Sequence, residues 1–97
     1  MNIYFITTSD HSVFGIGQTT RSFAERHKDG DWAKLHGLLE LQGDGVELVR
    51  WWADTEVVDH DIHSWLAKQP GIRRKNEWFS TKQSLDVIED MIERQFF

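Results

Sequence analysis

Cysteine is absent from this chain of 97 residues, which excludes a disulfide framework and a metal site built from thiolates. The sequence also lacks a basic N-terminal segment followed by an apolar run, and no stretch is apolar enough to span a bilayer. We therefore expect a cytoplasmic protein that does not enter a membrane. Proline occurs once, and the pair Pro70-Gly71 predicts the end of a helix.

Positive charge is in deficit, because 16 acidic residues outnumber 11 lysines and arginines and leave a net charge of −5. This balance disfavours tight nonspecific binding to nucleic acid, which needs a basic surface that displaces counterions. The basic residues are unevenly distributed, and Arg73, Arg74 and Lys75 form the densest group. The last predicted helix carries much of the acid. These totals are compatible with a basic working face and an acidic opposite face.

Large apolar side chains are plentiful despite these absences. Hydrophobic residues make up 39% of the chain, and they include five Trp and six Phe. Aromatic side chains of this size favour a packed core over disorder. A chain of this length forms one domain, so we assign residues 1–97 to a single unit.

A β-hairpin is predicted at the start of the chain. Residues 2–8 are rich in strand-forming side chains, and residues 13–18 form a second run that contains Gly15 and Gly17. The polar residues 9–12 between the runs are typical of a turn. Glycines inside a strand also suggest that another group approaches the backbone closely there.

Helices and one further strand are predicted in the rest of the chain. Ser22 and Glu25 have capping-box spacing, so a helix begins there, and residues 32–42 fit either a helix or a strand. Residues 46–53 predict a strand, and a helix follows from residue 54 or 55 to residue 69. A basic loop then leads to the last helix.

The last helix is predicted to begin with a second capping box, from Ser80 to Gln83. Its apolar stripe consists of Leu85, Ile88, Met91, Ile92 and Phe96. The order of elements predicts an α/β (α+β) domain with a small, mainly antiparallel, three-stranded sheet flanked by helices.

The helix predicted over 54–69 contains the first candidate site residue. Val58, Ile62, Trp65 and Leu66 define its buried face, and Asp59 lies at the edge of that face. A partly shielded carboxylate there could hold Mg²⁺, which takes one or two carboxylates and keeps its waters. The alternative is an ordinary edge carboxylate that is solvated or paired with an arginine.

Two histidines of the same helix offer a different metal site. His60 and His63 could bind Zn²⁺ or Ni²⁺ with Asp59, because helical residues three apart are neighbours. No further ligand occurs at zinc-site spacing, so we expect solvated helix histidines.

Other candidate residues could contact phosphates or bases. Arg26, early in a helix beside the glycine-rich strand, could bind a phosphate in bidentate fashion, or it could pair with an acid such as Glu25. The group 73–75 could contact a nucleic-acid backbone, or it could form a solvated loop. Trp51 and Trp52 are adjacent on a strand. We expect both in the core, with base stacking as the alternative for the outward one.

Taken together these motifs resemble the GIY-YIG nuclease superfamily, specifically its short phage-type and bacterial branch. Ile3-Tyr4 resembles the first motif, and Gly15-Ile16-Gly17 resembles the second. Residues 19–26 match the stretch that leads to the family arginine, here Arg26. Asp59 takes the place of the helical glutamate, four residues before His63. Residues 76–79 match the closing motif, so the resemblance covers almost the whole chain.

The resemblance implies roles for individual residues. Tyr4 would position or deprotonate the attacking water, Arg26 would stabilise charge on the phosphate, and Asp59 would bind Mg²⁺ or Mn²⁺. Asn76 would support the site beside the basic group 73–75. The sequence departs from the family at Gly15, where a Tyr or Lys is usual, and at Asp59, which replaces a Glu.

Two functions follow from the resemblance. The first is a metal-dependent endonuclease that hydrolyses phosphodiester bonds, and we expect DNA rather than RNA as its substrate. Its specificity would come from a protein partner or from DNA structure. The second is a catalytically inactive module on the same fold. That module would bind nucleic acid or a protein, for example as a phage-encoded modulator of a host enzyme.

Overall fold

The computed structural model describes residues 1–8, 11, 13–20, 46–75 and 78–97. The helix predicted from Ser22, the candidate Arg26, the ambiguous segment 32–42 and the candidate Asn76 lie outside these residues.

The described residues form one antiparallel sheet and two helices. In chain order the elements are β1 (Asn2–Thr8), β2 (Phe14–Thr19), β3 (Val46–Trp52), α1 (Asp59–Ala67), β4 (Ile72–Lys75), β5 (Trp78–Thr81) and α2 (Leu85–Phe96). The strands lie in the order β3-β1-β2-β5-β4. The α+β class is therefore confirmed, but the prediction of a three-stranded sheet is wrong, because the described sheet has five strands.

The two additional strands come from the segment predicted as a basic loop. β4 and β5 form an antiparallel hairpin in which Lys75 faces Trp78 and Ile72 faces Thr81. Ile72 and Phe79 point into the core, whereas the three cations of β4 are exposed. The charges suggested a loop, but an edge strand also leaves such side chains in solvent.

Alternation along the strands gives the sheet two different faces. The face that carries Ile3 and Phe5 packs against both helices through Ile62 of α1 and Ile92 of α2, and we call it the helix face. The opposite face carries a second buried cluster of Tyr4, Ile6 and Trp78, with Val13, Leu48 and Trp51 packed against it. We call it the tyrosine face.

Helix α1 is shorter than predicted. It begins at Asp59 rather than at residue 54 or 55, and its N-cap Val58 is extended and 38% exposed. The Thr55 hydroxyl accepts a hydrogen bond from the Val57 N–H at 3.1 Å. This local bond and two consecutive β-branched residues disfavour helix over 55–58. The predicted burial of Ile62 and Leu66 is confirmed, whereas Val58 was wrongly placed on the buried face.

Helix α2 packs as its apolar stripe predicts, but it begins later. Ser80 belongs to β5, so the proposed capping box is wrong. The N-cap is Ser84, whose hydroxyl accepts a hydrogen bond from the Val87 N–H at 3.4 Å. Ile88 and Ile92 are fully buried, and Leu85, Met91 and Phe96 pack around them. Neither of the described helices is long and apolar enough to cross a membrane.

Candidate functional site

Strand β2 is where the sequence motifs meet. In the β1–β2 register Tyr4 lies opposite Gly17, and its ring occupies the space that a Cβ at Gly17 would need. Tyr4 is 4% exposed and stacks on Trp51, with ring centroids 6.2 Å apart and planes at 18°. The close approach expected at the glycine-rich strand is therefore confirmed at Gly17, and the approaching group is the tyrosine of the first motif.

The second glycine of β2 receives a different ring. Gly15 pairs with Trp78 of β5, and a Cβ at Gly15 would lie 3.3 Å from the Cζ3 atom of the indole. Trp78 thus fills the space next to the position where the resembled family carries a Tyr or Lys. A larger side chain at position 15 would therefore have to displace this ring.

Asp59 is the first residue of α1 and is half-buried. Its backbone N–H donates a hydrogen bond to the Gln18 Oε1 atom at 3.0 Å, which ties the start of the helix to β2. Val58 provides no side-chain cap, so Gln18 fulfils that role from a neighbouring strand. Gln18 alternates with Gly17 and shares the helix face, whereas Tyr4 lies on the tyrosine face. The structure therefore places the tyrosine and the start of α1 on opposite faces of the sheet.

His63 is a core residue, and the expectation of a solvated histidine is wrong for it. Its side chain is 6% exposed, and its Nε2 atom lies 2.6 Å from the carbonyl oxygen of Ile16. A carbonyl only accepts, so Nε2 carries the proton and donates. The ring also contacts Phe79, with centroids 5.6 Å apart. His60 is exposed, as expected.

His63 also provides a hydrogen-bond partner for β2 beyond the end of its pairing with β5. The described pairing between β2 and β5 covers Phe14 and Gly15 and does not extend to Ile16. Beyond that point α1 lies against β2, with His63 bonded to Ile16 and Asp59 bonded to Gln18. Sequence reasoning missed Gln18, although its position two residues after Ile16 places it on the same face of the predicted strand.

The donor set for a metal ion is small. Among the described residues there is no group of three or more His, Cys, Asp or Glu side chains that could hold a metal ion. A single carboxylate at Asp59 fits Mg²⁺ or Mn²⁺ when water and a substrate phosphate complete the shell. It does not fit Zn²⁺, which takes four ligands in closed sites and three in catalytic ones.

The cations of β4 form an exposed charged group on an edge strand of the sheet. Arg73, Arg74 and Lys75 are all exposed, and the Arg74 guanidinium lies 5.8 Å from the centroid of the Phe79 ring. In the part of the chain that the structure describes, neither Arg73 nor Lys75 makes an ion pair. We call these three residues the basic strand.

The two other arginines among the described residues, Arg50 and Arg94, both pair with an acid. Arg50 lies 2.9 Å from Glu93, and Arg94 lies 2.9 Å from Asp90 within α2. Arg73 and Lys75 therefore differ from Arg50 and Arg94, because within the described residues neither of them pairs with an acid.

The two adjacent tryptophans point to opposite faces of the sheet and differ in burial. Trp52 is 6% exposed, donates its Nε1–H to Glu93 at 3.2 Å and stacks on Phe97. Trp51 packs partly buried against Tyr4 on the tyrosine face. The expectation of a core position is confirmed for Trp52, whereas Trp51 is only partly buried.

Comparisons with known proteins give no further identification: no family model, no curated protein and no solved structure matches this chain.

Proposed function

We propose that this protein is a nucleic-acid-binding domain that contacts the phosphates of DNA through the basic strand. The observation that supports the proposal is a run of three exposed cations, two of which make no ion pair in the described structure. In a chain with net charge −5, such a group favours a polyanionic partner.

The sequence around the basic strand strengthens this reading. Between residues 68 and 82 the chain carries five of its 11 lysines and arginines and a single acid, Glu77. The acidic α2 lies elsewhere in the fold, with Asp86 and Asp90 exposed. The surface around the basic strand is therefore the candidate for the basic face that the charge distribution predicted. Charge on an edge strand can also simply prevent edge-to-edge aggregation, and that alternative is an outcome of the test.

The test is binding of a fluorescein-labelled DNA duplex, followed by fluorescence anisotropy at low salt. We expect Arg73→Gln/Lys75→Gln to weaken binding by about tenfold, because two phosphate contacts are lost. Arg94→Gln is the matched control: it also removes an exposed cation, but from α2. Equal affinities for all three proteins would overturn the proposal. Increased self-association of the double variant, without loss of DNA binding, would assign the cations to edge protection.

A second candidate function is hydrolysis of DNA. The observation that favours it is that Tyr4 packs over Gly17 of β2 and that α1, which begins at Asp59, is bonded to the same strand at Gln18. Asp59 would hold Mg²⁺ or Mn²⁺ together with a bound phosphate. The metal would supply an activated water and would stabilise charge on the leaving oxygen.

Two features of the site argue for binding without hydrolysis. Trp78 occupies the space beside Gly15, and Tyr4 and Asp59 approach the sheet from opposite faces. A misplaced catalytic group costs on the order of a hundredfold in rate. We therefore rank hydrolysis second.

Nicking of supercoiled plasmid tests the second candidate. The binding proposal predicts intact plasmid with Mg²⁺ and with Mn²⁺. Nicking that requires metal and disappears in both Asp59→Ala and Tyr4→Phe would establish the nuclease instead. Circular dichroism of each variant verifies that it is folded.

A further inference from the structure

Ser80 of β5 lies directly opposite Arg73 in the β4–β5 hairpin. We infer that the Ser80 hydroxyl and the Arg73 guanidinium bind the same phosphate of the DNA backbone, and that Lys75 binds a neighbouring phosphate. This inference rests on the proposed function and specifies a further binding residue and the face of the sheet that meets DNA. It depends on the register of the hairpin and on the exposure and contacts of these three side chains.

The register of the hairpin places the three side chains on one face. Trp78 belongs to the cluster of the tyrosine face and Phe79 to that of the helix face, so Ser80 projects from the tyrosine face. Arg73 is its direct partner, and such partners have Cβ atoms about 4.5–5.5 Å apart. Lys75 is a diagonal neighbour of Ser80, because it lies opposite Trp78. Diagonal neighbours are about 7–8 Å apart, a distance that suits an adjacent phosphate.

The tyrosine face is the side of β4 on which these residues can be reached. Helix α1 contacts β4 on the helix face, where Ile72 is buried. Arg74 points to that face and takes no part in this site. Arg73 and Lys75 are exposed and Ser80 is half-buried. A phosphate can therefore contact the two cations and the hydroxyl without displacing α1.

Within the described residues these three side chains bind no other group. Arg73 and Lys75 make no ion pair there, and the Ser80 hydroxyl makes no hydrogen bond. Strands β4 and β5 carry no acidic side chain that could compete for the cations. A serine hydroxyl has one proton to donate. Serine and arginine side chains are both common donors to phosphate oxygens in protein–DNA complexes.

The two donors to the shared phosphate contribute in different ways. Arg73 is charged, so its contact releases counterions and makes binding dependent on salt. Ser80 is neutral, so its hydrogen bond adds affinity without adding salt dependence. Because both residues contact phosphate oxygens, this site positions the DNA backbone and does not read the base sequence.

The experiment measures binding of a fluorescein-labelled DNA duplex without terminal phosphates, by anisotropy over a range of salt concentrations. We expect Ser80→Ala to weaken binding about fivefold, the net value of one hydrogen bond, with an unchanged salt slope. Arg73→Gln should make the slope less steep by about 0.9. Ser80→Thr keeps a hydroxyl and should retain most of the affinity. Thr81→Val is the matched control, because it removes a half-buried hydroxyl from the helix face of the same strand.

A double variant tests whether Ser80 and Arg73 share a phosphate. In an Arg73→Gln background Ser80→Ala should weaken binding less than about twofold, because residues that act on one group are not additive. A full fivefold loss in that background would overturn the shared site. An unchanged affinity of Ser80→Ala would also overturn it, as would an equal loss in Thr81→Val. Circular dichroism verifies that each variant is folded.

The source of the phosphate is tested with a second probe, the same duplex carrying terminal phosphates. The two duplexes should bind equally, because the inference assigns the site to the backbone. Tighter binding of the phosphorylated duplex, lost in Ser80→Ala, would assign the site to a terminal phosphate and overturn the inference while leaving DNA binding intact. No binding of either duplex to the native protein would refute the proposed function itself.

Discussion

The hydrogen bond from His63 to Ile16 allows a quantitative prediction about stability. The substitution His63→Leu keeps an apolar side chain of similar size against Phe79 but removes the donor. The Ile16 carbonyl is then left without its side-chain partner beside α1, where the described β5 pairing has ended. An unsatisfied buried acceptor costs about 1–3 kcal/mol in the free energy of unfolding. For a domain of this size each kcal/mol lowers Tm by about 4–8 °C.

The assay is urea unfolding followed by tryptophan fluorescence, with a thermal scan by circular dichroism. His63→Gln is the matched control, because its Nε2 amide can donate to the same carbonyl. We expect it to recover at least half of the loss. The reasoning is refuted if His63→Leu unfolds at the same urea concentration as the native protein. It is also refuted if the Gln and Leu variants are destabilised equally, since the donor would then be irrelevant.

Two further predictions concern β2 and α2. Gly17→Ala should cost about 1–3 kcal/mol, because its Cβ overlaps the Tyr4 ring, whereas Gly15→Ala should cost less than about 1 kcal/mol beside the Trp78 edge. Urea unfolding measures the cost of both substitutions. If the Tyr4 ring causes the cost, Gly17→Ala should destabilise a Tyr4→Ala variant less than it destabilises the native protein. Equal costs in the two backgrounds would contradict this explanation. Ser84→Ala should lower stability by about 0.5–2 kcal/mol through the lost cap, and Ser80→Ala by less. A larger loss of stability in Ser80→Ala than in Ser84→Ala would indicate that Ser80 caps the helix, as the sequence predicted.

The hairpin of β1 and β2 and the stripe of α2 could be predicted from the sequence because their signals are local. Alternating strand formers and a turn define the first, and the helical spacing of Ile88 and Ile92 defines the second. The start of α2 was misplaced because Ser80 and Ser84 both precede an apolar run. Only the pairing of Ser80 within β5 distinguishes them, and that pairing is a tertiary feature.

The basic strand was missed for a similar reason. Arg73, Arg74 and Lys75 give no alternation of apolar and polar residues, and period-two patterning is what identifies a half-buried strand. Such a sequence forms a strand when it can pair with β5, and Ile72 is the one residue of β4 that is buried in the core. β4 therefore forms because it pairs with β5, and its local sequence alone does not predict a strand.

The candidate site could be only partly predicted. Tyr4, Asp59 and the basic group were named from the sequence, and the structure shows where each lies. Their separation onto different faces depends on which side of the sheet α1 packs, and no local pattern encodes that. The burial of His63 was missed because its contacts with Ile16 and Phe79 are tertiary, and the helical spacing of Ile62 and Leu66 does not reveal them.

The salt dependence of DNA binding tests the central claim most directly. Each phosphate contact contributes about −0.9 to the slope of log Kobs against log salt concentration, so the three cations of β4 predict a slope of about −2.7. Between about 50 and 200 mM salt this corresponds to a loss of roughly 40-fold in affinity. The variant Arg73→Gln/Lys75→Gln should show a slope of about −0.9, and Arg94→Gln should retain that of the native protein. A slope near zero, or one that the double substitution leaves unchanged, would contradict phosphate binding by the basic strand.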